Sequence, residues 1–205
     1  MKRFLIIALA AGLGGAVIAT QNQKSSASPM VQPGTDAPSF SLPDTTGKSR
    51  SLSDTKGKYV VLEWTNRGCP YVVRHYQGDM QRTQKAARDM GAVWYSLISS
   101  APGKQGHMSA EMAAKHYQEI GGQADAVLFD SDGTVGKAYG ARTTPQIVVI
   151  DPNGKVIYHG AIDDSPMTSA DKTVTNYAIQ ALTEAKAGKT VSVPTSRPYG
   201  CGVKY

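Results

Sequence analysis

Tyr59-Val60-Val61-Leu62-Glu63-Trp64-Thr65-Asn66-Arg67-Gly68-Cys69-Pro70 passes from an apolar run to a short polar turn and then to a cysteine–proline pair. A run as continuously apolar as Tyr59 to Trp64 reads as a central strand covered on both faces. Proline suits the first position of a helix, where its missing N–H costs no helical bond, so Cys69 stands at the junction of strand, turn and helix. Unpaired N–H groups and the helix dipole at that junction favour thiolate over thiol. The setting favours a reactive sulfur over an inert core cysteine.

Downstream, Val73, Tyr76, Met80, Thr83, Ala87 and Met90 recur at steps of three and four. That spacing predicts the inner face of one long helix ending at Gly91. Ala92 to Ile98 reads as a second buried strand, and Ser109 as the cap of a helix reaching about Ile120. Val127-Leu128-Phe129 is too brief to classify alone, and Asp132 to Tyr139 reads as a short helix closed by Gly140. Gln146 to Ile150 and Lys155 to His159, joined by Asp151-Pro152-Asn153-Gly154, form the clearest hairpin. A helix over about Val174 to Ala187 precedes a tail rich in Pro and Gly. Upstream, Phe40-Ser41-Leu42 and Ser51-Leu52 flank a turn and predict an opening hairpin. Strands alternating with helices specify an α/β fold, and the late hairpin adds antiparallel strands to the sheet.

Met1-Lys2-Arg3 leads into an apolar stretch, Phe4 to Thr20, without an acidic residue. Residues 1–20 read as an export signal, with an uncleaved N-terminal anchor and membrane association as the alternative. Residues 21–33 form a polar linker rich in Ser, Gln and Pro. The remainder, residues 34–205, is about 170 residues long, enough for one domain with its own core and no disulfide framework. The formal charge of +6 is scattered along the chain and implies no nucleic-acid partner.

The chain holds two cysteines, Cys69 and Cys201. In an oxidising compartment such a pair can be bonded at some stage of the protein's life. Cys201 lies in Tyr199-Gly200-Cys201-Gly202, where two glycines let the backbone turn. Two readings stand side by side: a second thiol that resolves oxidised Cys69, and a structural staple worth as much as roughly 5 kcal/mol for so long a loop. Both require Cα atoms within about 7 Å of each other.

Cys69-Pro70 after Trp64, Arg142-Thr143-Thr144-Pro145 before a strand, and Ile150-Asp151-Pro152-Asn153-Gly154 follow one another in an order that resembles the thioredoxin-like superfamily. Within it the chain, from about Val31 to Tyr205, is similar to the redoxin branch allied to peroxiredoxins of the alkyl hydroperoxide reductase/thiol-specific antioxidant type. The resemblance implies a thioredoxin-like α/β fold: a central mixed sheet flanked by helices, here with an N-terminal hairpin extension. It also implies a cis bond before Pro145, set against the active sulfur, and backbone groups of Thr144 able to pair with an extended substrate. The chain departs from the pattern as well. Asn66 stands where thioredoxins carry the first of two cysteines and where peroxiredoxins carry Thr or Ser, with Thr65 one residue earlier. Pro145 stands where a peroxiredoxin arginine is expected.

These residues predict a thiol-dependent oxidoreductase whose Cys69 attacks a peroxide or a disulfide, with Cys201 as second thiol and an external, thioredoxin-like thiol reductant. A non-catalytic scaffold of the same fold, with Cys69 and Cys201 permanently joined, is the alternative. Asn66 is placed to hydrogen-bond the sulfur or a bound oxygen, and Arg67 and Arg142 are the nearest cations for stabilising negative charge. Glu63 reads either as a buried proton acceptor or as a residue at a sheet edge or paired with a lysine. His75, six residues beyond Cys69, turns to another side of its helix and is a poor base. His107, His116 and His159 have no metal-ligand spacing, so neither a metal nor another cofactor is expected.

Overall fold

The computed structural model of the chain describes residues 31–165 and 174–205. The expected leader, residues 1–20, and most of the polar linker lie outside the described residues. Among the described residues no helix is long and apolar enough to cross a membrane.

Strand β3, Val60–Trp64, is buried at every position. It occupies the middle of a five-stranded sheet because both neighbours in space are equally apolar: β4, Val93–Ile98, runs parallel to it, and β7, Gln146–Ile150, runs antiparallel. With β5, Ala126–Phe129, and β8, Val156–Gly160, as outer strands, the order is β5-β4-β3-β7-β8. The brief Val127 to Phe129 segment is therefore an outer strand, and the late hairpin forms where its turn residues place it.

Alternation along the strands divides the core. Val61, Trp94, Ile147 and Val149 face a layer that includes Met80, Ala113, Ala181 and Leu182. Val60, Leu62, Trp64, Leu97 and Val148 face Phe40, Val135 and Tyr139 on the other side. The first layer is built by four helices: α1, Pro70–His75; α2, Asp79–Asp89; α3, Ala110–Glu119; and α5, Tyr177–Lys186. The second holds α4, Thr134–Ala138, and the hairpin of β1, Ser41–Pro43, and β2, Ser49–Ser51. Caps fix two helix starts: Ser109 accepts the Met112 N–H at 3.2 Å, and Asn176 accepts that of Ile179 at 3.0 Å.

The long helix expected after Cys69 is a correction. It is two helices, broken at Gln77-Gly78, because Gly78 takes φ +128°, a backbone angle that ends one helix and starts the next. The apolar positions still face one core, so the periodicity reports the burial and misses the break.

Beyond α5 the tail runs along the free edge of β8, where the His159 N–H donates to the Pro194 carbonyl at 3.1 Å. It then reaches the segment that precedes β7. There a two-residue strand, β9, Cys201–Gly202, pairs antiparallel with β6, Thr143–Thr144.

Candidate active site

Cys69 is the N-cap of α1, and Pro70 takes the first helical position. The turn before it is held by Asn66: its side-chain oxygen accepts the Gly68 N–H at 2.8 Å, its amide donates to the Gln105 carbonyl at 3.1 Å, and its own carbonyl accepts the Cys69 N–H at 2.9 Å. The structure thus places Asn66 beneath the turn, with its amide directed to backbone groups of the loop.

The Thr144–Pro145 bond is cis. The segment before it is shaped by Gln146, fully buried, whose side-chain oxygen accepts the N–H groups of Arg142 and Thr143 at 2.9 and 3.2 Å. The Thr144 carbonyl oxygen consequently lies 3.1 Å from the Cys69 sulfur and accepts its S–H. The same residue is paired, Cα to Cα, with Cys201. The backbone edge that could receive an extended substrate is filled by the protein's own tail.

Cys69 and Cys201 are both free thiols, and each acts on the titration of the other. Burial pushes the Cys69 thiol up, but hydrogen bonds from the Cys201 thiol, the Val72 N–H, the Thr144 hydroxyl and the Cys201 N–H outweigh it and leave Cys69 below its ordinary value. Burial and the neighbouring Cys69 push Cys201 the other way, to about 11. The pair is polarised, one sulfur ionising more readily than an ordinary thiol and the other less readily.

Cys69 is 0 % exposed, whereas Cys201 is half-buried. The groups acting most strongly on the Cys69 sulfur are uncharged. Arg67 is exposed and lines a groove of about 260 Å³ with Val72, Val73, Tyr76 and His116. Arg142 is exposed too, and its carbonyl accepts the Val203 N–H at 3.0 Å.

Glu63 lies on the central strand, neither at a sheet edge nor beside a lysine. Its carboxylate receives Ser96 at 2.7 Å, Trp94 Nε1 at 2.9 Å, Tyr76 at 3.0 Å and Gln84 at 3.1 Å. Burial still raises it above the usual carboxylate range, since four donors do not fully replace water. Among the described residues no group of three or more His, Cys, Asp or Glu side chains could hold a metal ion.

Sequence reasoning gave no role to Gln146 or Tyr199, named Gly200 only as a flexible neighbour of Cys201, and set His75 aside as a base, whereas His75 is buried and bonded to the tail through Tyr199. The only signal in the sequence for the tail contacts was the run of Gly and Tyr around Cys201.

Comparison with known proteins bears on the family and the fold. The model of the AhpC/TSA family matches residues 33–159, which include Cys69 and the cis-proline segment and stop short of Cys201. No curated protein matches the chain. Among solved structures, an uncharacterized conserved protein from Geobacillus kaustophilus is 26% identical, covers 86% of this chain and 94% of its own, and superposes with a TM-score of 0.77. A hypothetical protein from Sinorhizobium meliloti, 24% identical over 85% of this chain and 95% of its own with a TM-score of 0.73, shares the fold. The thioredoxin domain of a thiol-disulfide oxidoreductase from Bacteroides vulgatus is 26% identical over 63% of this chain and 88% of its own, with a TM-score of 0.51.

Proposed function

We propose, from the premise that this chain belongs to the AhpC/TSA family, that it is an exported thiol-dependent oxidoreductase cycling between a Cys69/Cys201 dithiol and the corresponding disulfide. Family membership and the thiol-disulfide oxidoreductase among its structural relatives support thiol redox chemistry in general. The observation that carries the specific cycle is the pairing of Cys201 with Thr144, whose carbonyl oxygen accepts the Cys69 S–H at 3.1 Å, so that a thiol of lowered titration and one of raised titration meet at the same residue.

In this reading Cys69 is the nucleophile, and because its sulfur is fully buried with the tail in place, an oxidant reaches it when the tail lifts. The Cys69 thiolate attacks the O–O bond of a peroxide, yielding a sulfenic acid and an alcohol or water, or a disulfide sulfur, yielding a mixed disulfide and a thiol. Cys201 then attacks the oxidised sulfur and expels water or the second thiol. An external thiol reductant returns both sulfurs to the reduced form, entering at Cys201, the half-buried member of the pair. Thr144 and Pro145 form the wall against which Cys69 reacts, Asn66 holds the turn, and Arg67 and Arg142 give the surroundings a positive charge. Export rests on the basic start and apolar stretch of residues 1–20.

The test is to mix reduced protein with hydrogen peroxide in one arm and glutathione disulfide in another. Formation of the Cys69–Cys201 bond is followed by mass spectrometry. Wild type is expected to form the bond and turn over with at least one oxidant in the presence of a dithiol, and Cys69→Ser to lose turnover. Slow oxidation with no preference for Cys69 would leave a scaffold.

A further inference from the structure

A buried polar cluster stands beside the two sulfurs without touching the reacting atoms. His75 closes α1, the helix that Cys69 opens, and is fully buried. Its Nε2 lies 2.9 Å from the Tyr199 hydroxyl. That hydroxyl donates to Asp163 Oδ1, so its oxygen accepts from His75 Nε2–H. His75 Nδ1 has no hydrogen-bond partner among the described residues and faces Asp163 Oδ2 at 3.9 Å. Asp163 is itself buried and accepts the Ser165 N–H at 2.9 Å. The Tyr199 ring stacks on His75 and packs at a tilt on Tyr71, with centroids 6.1 and 5.9 Å apart.

The cluster therefore joins the same two segments that a Cys69–Cys201 bond would join: α1 on one side and the tail on the other. Only Gly200 separates Tyr199 from Cys201. Its φ of +120° and its closeness to the Thr144 carbonyl oxygen, which a methyl group would overlap, press this part of the tail onto the site. The far end of the tail is held separately, by the Tyr205 hydroxyl donating to the Ala141 carbonyl at 2.7 Å and by the Ala101 N–H donating to the Lys204 carbonyl at 2.8 Å. Docking of the tail as a whole thus has other anchors, and the cluster fixes the stretch next to the second thiol.

We infer that Tyr199, held by His75 and Asp163, is the positioning residue of Cys201: a hydrogen-bonded bridge, parallel to the disulfide, that keeps the reduced thiol within reach of Cys69. It rests on the reading that the pair cycles. In the absence of the S–S bond this bridge maintains the effective concentration of Cys201, so oxidised Cys69 is captured internally before an external thiol or a further oxidant reaches it.

Equilibration in glutathione buffers tests it. Glutathione disulfide oxidises the dithiol through a mixed disulfide on Cys69, which Cys201 resolves with release of a second glutathione. The ratio of [GSH]² to [GSSG] at half-oxidation reports the effective concentration of Cys201. Tyr199→Phe, which keeps the ring and removes the hydroxyl, is expected to lower that ratio about ten- to hundredfold, the size of one hydrogen bond to a charged group. Glutathione-bound Cys69 should accumulate in the same samples. Tyr205→Phe, at the other end of the tail, is expected to lower thermal stability while leaving the ratio within about twofold of wild type. Asp163→Asn, which keeps an acceptor for Tyr199, gives an intermediate drop and serves as the reporter should Tyr199→Phe not fold. An unchanged ratio in Tyr199→Phe or, should that variant not fold, in Asp163→Asn overturns the inference, as do equal drops in Tyr199→Phe and Tyr205→Phe. Failure of wild type to form any Cys69–Cys201 bond overturns the redox cycle itself, and the inference with it.

Discussion

The Cys69 S–H donates to the Thr144 carbonyl oxygen at 3.1 Å, and Thr144 is itself paired, Cα to Cα, with Cys201. As a thiol Cys69 has the Thr144 oxygen as its partner, and hydrogen bonding from the Cys201 thiol and from the Val72 and Cys201 N–H groups lowers its titration. The second cysteine is part of the electrostatics of the first before any bond forms between them.

Cys201→Ala removes the thiol donor and keeps the backbone ones. The pH midpoint for alkylation of Cys69 is expected to rise toward the free-thiol value of about 8.5. In wild type the midpoint is expected to lie lower, and Cys201 to resist alkylation until the pH approaches about 11. Peptide-resolved alkylation across pH checks both values. An unchanged Cys69 midpoint in the variant would mean that the helix end alone activates the sulfur.

Gly200→Ala acts on access instead of charge. Alanine is strained at φ +120° by about 1–2 kcal/mol and its methyl group meets the Thr144 carbonyl oxygen, so the tail must lift from the cis-proline segment. Cys69, sealed in wild type, is expected to alkylate at least about tenfold faster. Circular dichroism should show the sheet intact, because none of its five strands contains the substituted residue. Equal labelling of Cys69 in variant and wild type would show that the tail is not its cover.

The parts of this arrangement that were legible in the sequence are those written in local chemistry. Proline after Cys69 marks a helix start, an apolar run such as Tyr59 to Trp64 marks a central strand, and Asp151-Pro152-Asn153-Gly154 marks a hairpin. The break at Gly78 was missed because an apolar face continues across it, and periodicity measures faces, not continuity. Gln146 reads as a polar residue at a strand entrance. Its work, holding the N–H groups of Arg142 and Thr143, depends on a fold-back that spacing does not reveal. The pairing of Cys201 with Thr144 joins residues 57 positions apart, and the bond between His75 and Tyr199 spans 124. Such contacts are set by the tertiary path of the tail, for which glycines supply permission but no address.

Glu63 offers the last separation, between a proton acceptor and an anchor. Its donors Ser96, Trp94 and Gln84 are core residues of β4 and α2, and the fourth, Tyr76, directly follows α1. Through Tyr76 the carboxylate holds the end of the helix whose other end faces the Cys69 sulfur. Glu63→Leu leaves those donors unpaired and is expected to cost about 3–5 kcal/mol in urea unfolding. Glu63→Gln keeps an acceptor for Trp94 and Ser96, can donate to the Tyr76 oxygen, and should stay within about 1 kcal/mol of wild type at neutral pH. The sign of its pH dependence follows from burial. The folded state holds the Glu63 proton above the unfolded value of about 4.3, so wild type loses stability as pH rises from there through the raised folded value. Glu63→Gln lacks that loss, and urea midpoints at pH 5 and pH 8 compare the two slopes. As an anchor, Glu63 can become Gln with the rate of Cys69–Cys201 closure kept within about threefold. A fall of tenfold or more at unchanged stability would make it the proton acceptor instead.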